Sequence, residues 1–73
     1  MQAIVYRKWF ILLDCSEFQL DNLERAWQAH CKAFDDGTHG DMSEGYYFMN
    51  ELIEWGFEVI MLRRIDYVVP IPQ

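Results

Sequence analysis

The sequence predicts a small α+β domain in which two helices cover one face of a two-stranded antiparallel sheet, in the order β-α-α-β. Two segments rich in β-branched and aromatic residues lie near the ends of the chain and predict strands. Between them lie two segments with apolar residues at helical spacing. A chain of 73 residues has the size of one small domain, so residues 1–73 are assigned to a single domain. Short connections between consecutive elements make the strands antiparallel.

The first predicted strand runs from Gln2 to Leu13. Its odd-numbered and even-numbered positions are both mostly apolar, and each set is interrupted by one cation, Arg7 or Lys8. A strand that is apolar on both faces is either buried on both or exposes one face to a partner. We therefore expect Tyr6 and Phe10 on an uncovered apolar face of the sheet, where a partner protein would contact them.

The first predicted helix runs from Leu20 to Phe34 and ends in a loop, Asp35 to Gly40, that holds two glycines and two acids. Charged and amide side chains occupy one side of this helix. The other side carries one apolar stripe at a period of 3.6 residues, and we expect it to face the sheet. The stripe consists of Leu20, Leu23, Trp27, His30, Cys31 and Phe34.

The second predicted helix begins with a capping box, in which Asp41 is the N-cap and Glu44 reaches back to it. It continues to about Trp55, and Gly56 follows at the position where a left-handed residue commonly ends a helix. The apolar stripe expected to face the sheet consists of Met42, Tyr46, Met49, Leu52 and Ile53.

Three consecutive aromatic residues, 46–48, cover too wide an arc of this helix for all of them to face the core. We expect Tyr47 to be exposed beside the carboxylates of Glu44, Glu51 and Glu54. An exposed aromatic ring flanked by acids is typical of an interface anchor. The alternative is a tyrosine that lies along the surface with its hydroxyl in water.

The second predicted strand runs from Phe57 to Val69 and is stopped by Pro70 and Pro72. Arg63 and Arg64 lie near its middle.

Antiparallel pairing would bring this arginine pair close to Arg7 and Lys8 of the first strand. Because like charges opposite each other destabilise a sheet, acids from the helices or a bound anion should compensate. We expect the acids, with an anion site as the alternative.

The charge distribution is uneven. The chain has 12 acidic and 6 basic side chains, a net charge of −6, which disfavours direct binding of nucleic acid. Eleven of the acids, including Asp35 and Asp36, lie between Asp14 and Glu58 with only two cations. Such a surface attracts a basic partner surface, for example one that binds nucleic acid. The alternative is an ordinary solvated face.

No catalytic motif, cofactor site or metal site is predicted. The sequence contains no Gly-rich phosphate loop, nucleophile elbow or paired-ligand zinc pattern. Its four soft metal ligands, Cys15, His30, Cys31 and His39, lack the spacing of a structural zinc site. The N-terminus does not resemble a signal peptide and no apolar run is long enough to span a membrane, so a cytoplasmic location with free thiols is expected.

These observations together predict a non-catalytic protein that binds another protein and regulates or inhibits it. Small acidic chains without a catalytic motif are often regulators, and bacteriophages and mobile elements encode many of them. One alternative is a homodimeric structural or accessory protein that associates through its sheet edges. A weaker alternative is a small zinc- or anion-binding protein. The predicted partner-binding residues are Glu44, Tyr47, Glu51, Glu54, Asp35, Asp36, Tyr6 and Phe10.

Overall fold

The computed structural model describes residues 1–65, which form one antiparallel sheet of three strands and two helices. The strand order in the sheet is β1-β2-β3. The predicted α+β class is confirmed, but the prediction of two strands is wrong. The predicted end of the last strand, with Pro70 and Pro72, lies outside the described residues. The elements are β1 (Gln2–Tyr6), β2 (Trp9–Leu13), α1 (Leu20–Asp36), α2 (Glu44–Glu54) and β3 (Val59–Arg64).

The first predicted strand is in fact a β-hairpin. Tyr6 pairs with Trp9, so Arg7 and Lys8 form a two-residue loop between β1 and β2. Arg7 has a φ of 55°, in the left-handed region that two-residue hairpin loops require and that glycine and asparagine favour. A non-glycine residue held there costs on the order of 1–3 kcal/mol. Because the loop lacks the usual Asn-Gly or Asp-Gly pair, the sequence alone did not indicate it.

The hairpin changes which residues of this segment share a face of the sheet. Pairing of Tyr6 with Trp9 and of Ile4 with Ile11 joins even-numbered residues of β1 with odd-numbered residues of β2 on one face. This inner face packs against the helices. The expectation that Tyr6 and Phe10 share an uncovered face is therefore wrong. Tyr6 is half-buried on the inner face, and Phe10 lies half-buried on the outer face.

The core lies between the inner face of the sheet and the two helices. On α1, Leu23 and His30 are buried as predicted, but Leu20 is exposed. Ala26 and Ala33 are buried as well, because the buried side of α1 is rotated toward α2 relative to the predicted stripe. The buried apolar residues are Trp9, Ile11, Leu13, Leu23, Ala26, Ala33, Phe48, Leu52 and Phe57.

The buried side of α2 differs more strongly from the prediction. Phe48 and Leu52 are fully buried, whereas Met42, Tyr46 and Ile53 of the predicted stripe are exposed. Only Leu52 of that stripe belongs to the buried core, and the assignment of its three exposed members to the core is wrong.

The ends of α2 are defined by its capping residues. Its N-cap is Ser43, whose Oγ accepts a hydrogen bond from the backbone N–H of Tyr46 at 3.3 Å. Asp41 was predicted for this role but lies before the cap. At the other end Gly56 has a φ of 95°, as expected of the left-handed residue after a helix.

Truncation of two aromatic residues, two positions apart on α2, distinguishes the observed orientation of this helix from the predicted one. Phe48→Ala should lower the free energy of unfolding by about 3–5 kcal/mol, because it removes a fully buried ring. The matched variant Tyr46→Ala should change it by less than about 1 kcal/mol. Urea unfolding followed by circular dichroism measures both values, and the reverse ranking would contradict the orientation of α2.

Candidate functional site

Three basic side chains converge on the carboxylate of Glu44, the first residue of α2. Arg64 Nη1 donates a hydrogen bond to Glu44 Oε1 at 3.0 Å, and Lys8 Nζ lies 3.4 Å from the same oxygen. His30 Nε2 lies 3.0 Å from Oε2. One carboxylate therefore connects α2 with the hairpin loop, the end of β3 and the middle of α1. We call these four residues the Glu44 cluster.

His30 is the most deeply buried member of the Glu44 cluster, with 1% of its surface exposed. Its ring lies 4.7 Å from that of Trp27, 5.2 Å from that of Phe34 and 5.4 Å from that of Phe48, measured between centroids. Within residues 1–65 neither ring nitrogen has a hydrogen-bond partner, although Nε2 lies 3.0 Å from Glu44 Oε2. The contact is therefore an ion pair only when the imidazole is protonated.

The second cation of the hairpin loop is also matched by an acid. Arg7 Nη2 lies 3.9 Å from Glu24 Oε2 on α1. Its guanidinium also lies over the rings of Tyr6 and Trp27, at 5.3 and 5.2 Å from their centroids. Acids from both helices thus compensate three of the four clustered cations, which are Arg7, Lys8 and Arg64. Within residues 1–65 no acid contacts Arg63, so the expectation is met in part. Burial raises the pKa of the Tyr6 hydroxyl, and Glu24 raises it further.

The predicted partner-binding acids do not form one group. Glu44 has 25% of its side chain exposed and is used inside the protein, so it is not the free surface acid that the sequence suggested. Glu51 is half-buried and Glu54 is exposed on α2. Asp35 and Asp36 are exposed at the C-terminal end of α1.

The predicted aromatic anchor is displaced by one residue. Tyr47 is half-buried, and its ring meets the edge of Phe34 with centroids 6.0 Å apart. Tyr46 is the exposed ring, with 53% of its surface accessible. The expectation that Tyr47 is the exposed member of the aromatic run is therefore wrong.

Exposed apolar side chains follow the side of α2 that faces away from the core. Tyr46 and Ile53 are both 53% exposed and lie seven residues apart, on one side of the helix. Together with Asn50, Glu51 and Glu54 they line a shallow surface groove. We name the α2 outer strip after its four exposed apolar residues, which are Met42, Tyr46, Ile53 and Trp55.

The sequence contained one signal that identifies the buried side of α2. A Cβ added to Gly45 would lie 3.1 Å from Cη2 of Trp9, so this side of the helix approaches the sheet closely. Gly45, Phe48 and Leu52 lie at helical spacing on that side. A glycine inside a helical pattern indicates such a close approach, and it would have separated the buried stripe from the α2 outer strip.

The cysteines and histidines form no further site in the described part of the chain. Both cysteines are free, as expected, and residues 1–65 contain no group of three or more His, Cys, Asp or Glu side chains placed to hold a metal ion. Burial and the nearby charge of Asp35 raise the pKa of the Cys31 thiol. A thiol with a raised pKa is a poor nucleophile at neutral pH.

Comparison of the chain with protein-family models, curated protein sequences and solved structures finds no match. Neither α1 nor α2, the helices within residues 1–65, has the length and apolar character needed to cross a membrane. The interpretation of function therefore depends on the geometry and charge of these surfaces.

Neutralising Glu44 should destabilise the fold, because Lys8, Arg64 and His30 would lose their shared carboxylate. We expect Glu44→Gln to lower the free energy of unfolding by about 1–2 kcal/mol, a value reduced by partial exposure to solvent. The control Glu54→Gln removes an exposed carboxylate from the same helix and should cost less than about 0.5 kcal/mol. Equal unfolding midpoints for the two variants would show that the Glu44 cluster is not structural.

Proposed function

We propose that this protein is a small, cytoplasmic, non-catalytic regulator that binds another protein through the α2 outer strip. The observation that carries the proposal is the row of large exposed apolar side chains on a helix whose other side already fills the core. A contiguous apolar patch with a polar rim is typical of a protein interaction site. The two free cysteines are consistent with a reducing compartment.

The chemistry of the strip fits an interface anchor. Tyrosine and tryptophan are the residues most often found at binding hot spots, and the strip contains Tyr46 and Trp55. Tyr46 and Ile53 project from a helix that is fixed to the core by Phe48 and Leu52. Little conformational freedom of the backbone would therefore be lost when a partner binds.

The charge around the strip favours a basic partner surface. Glu51 and Glu54 border the groove, and the segment from Asp14 to Glu58 carries eleven acids and two cations. One of these cations, Arg25, lies over the Trp55 ring at one end of the strip, 5.7 Å from its centroid, so the acidic field is strongest around Tyr46 and Ile53. A basic surface that binds nucleic acid in its own role fits this field, and direct binding of nucleic acid by this chain does not.

The proposal is tested by capture of the partner from a lysate of the native host cell, followed by measurement of binding to the purified partner. Tyr46→Ala and Ile53→Ala should each weaken binding by about tenfold or more, mainly through faster dissociation. The control Ile60→Ala removes a similarly exposed apolar side chain from β3 and should leave binding unchanged. Equal capture by all three variants would contradict the α2 outer strip as the binding surface.

The acidic rim should act mainly on the rate of association. The double variant Glu51→Lys, Glu54→Lys should slow association and flatten its dependence on salt, because surface charges steer encounter over about 8–10 Å at physiological ionic strength. Asp35→Lys, Asp36→Lys is a charge-matched control at the end of α1. The association rate of each double variant is measured at two salt concentrations. If both variants slow association equally, the effect comes from net charge and not from Glu51 and Glu54.

A further inference from the structure

The hydrogen bonds of the sheet show which backbone groups remain at its edge. Ile65 N–H donates to the carbonyl of Lys8 at 2.7 Å, and Asp14 N–H donates to the carbonyl of Glu58 at 2.9 Å. Even-numbered residues along β2 therefore direct their backbone groups toward β3, and the odd-numbered ones direct theirs toward β1. The odd-numbered residues of β2 lie opposite Gln2, Ile4 and Tyr6 of β1, so these three residues form the hydrogen bonds between the two strands. The backbone N–H and C=O groups of Ala3 and Val5 point away from β2, toward the outer edge of the sheet.

The two edges of the described sheet are protected to different degrees. The β3 edge carries Arg63 and Arg64 and an irregular register opposite Leu12 and Leu13, features that discourage pairing with another strand. The β1 strand, Gln2–Tyr6, contains no charged residue, no proline and no register shift. Its Val5 side chain is 67% exposed. The β1 edge is thus the unprotected one.

We infer that β1 pairs with β1 of a second copy of this chain, in an antiparallel arrangement centred on Ile4. Ala3 of each copy then lies opposite Val5 of the other, and their free backbone groups form the hydrogen bonds. Both copies keep Ile4 on the inner face, so the helices of both lie on the same side of a continuous six-stranded sheet. A two-fold axis between the two Ile4 residues gives hydrogen-bond partners to the outward-facing N–H and C=O groups of both β1 strands.

A second copy fits this edge better than an unrelated strand, because the flank of α1 beside it is suited to self-association. Trp27 contacts Tyr6, and Glu24 is paired with Arg7, so this flank of α1 lies over β1. Leu20 is exposed and, at seven residues from Trp27, lies on the same side of the helix. Glu24 on this flank is already paired with Arg7, and the acids Glu51 and Glu54 lie on the other helix, so two copies of a chain with a net charge of −6 meet away from them.

The first experiment measures the mass of the full chain by sedimentation between about 5 and 500 µM, since association makes the apparent mass depend on concentration. The wild type should shift from monomer toward dimer. Val5→Lys should stay monomeric with an unchanged melting temperature, because it adds a charge to an exposed edge position. Met61→Lys places the same charge on the exposed side of β3 and should still dimerise. A monomeric wild type overturns the inference and leaves the edge to an extended strand of another protein.

Cross-linking tests the register, in a Cys15→Ser, Cys31→Ser background. Directly opposed residues have Cα atoms about 5.5 Å apart, a distance that suits a disulfide, whereas diagonal neighbours are about 7–8 Å apart. An oxidised mixture of Ala3→Cys and Val5→Cys chains should therefore form the crosslinked dimer, and neither variant alone should. Equal cross-linking in all three samples overturns the centring on Ile4. Neither experiment changes the α2 outer strip, so failure here is distinct from failure of the proposed function.

Discussion

The carboxylate of Glu44 is the point at which both helices, the hairpin loop and β3 meet. It lies in the first turn of α2, where the helix dipole favours a negative charge. Lys8, Arg64 and His30 approach it from the hairpin loop, from β3 and from α1. With Glu44 directed inward, Phe48 and Leu52, which follow at intervals of four residues, also face the core. The opposite side of α2, with Tyr46 and Ile53, is consequently left in solvent.

The hairpin loop is the second constraint. It supplies Lys8 to the Glu44 cluster, and it determines which residues of β1 and β2 face the helices. A left-handed Arg7 closes the loop after Tyr6, so the inner face receives every second residue of both strands. The guanidinium of Arg7 contacts Glu24 and the ring of Trp27, so the loop is held against α1. The loop also fixes which backbone groups of β1 bond to β2, and it leaves those of Val5 at the outer edge of the described sheet. The inferred dimer contact therefore follows from the loop.

The sequence predicted the existence of both helices, the position of Gly56 and the burial of Leu23, because these depend on local periodicity and turn chemistry. It did not predict the hairpin, since Arg7 and Lys8 carry none of the usual loop signals. The rotation of α2 depends on contacts between residues far apart in sequence, such as Trp9 with Phe48 and Lys8 with Glu44, which a count of apolar spacing does not include. For the same reason Glu44 appeared to be a surface acid, although its carboxylate is used within the fold.

The two proposed surfaces belong to different elements and share no residue, so they are compatible with each other. The α2 outer strip lies on the side of α2 that faces away from the core, and α2 contacts β3, whereas β1 forms the other edge of the sheet. A dimer through β1 would carry two copies of the strip on the helix side of one continuous sheet. Two linked sites raise apparent affinity for a partner that presents two matching surfaces, without any new contact. A partner with internal two-fold symmetry would match the proposed dimer, since its own axis would coincide with the proposed axis through Ile4.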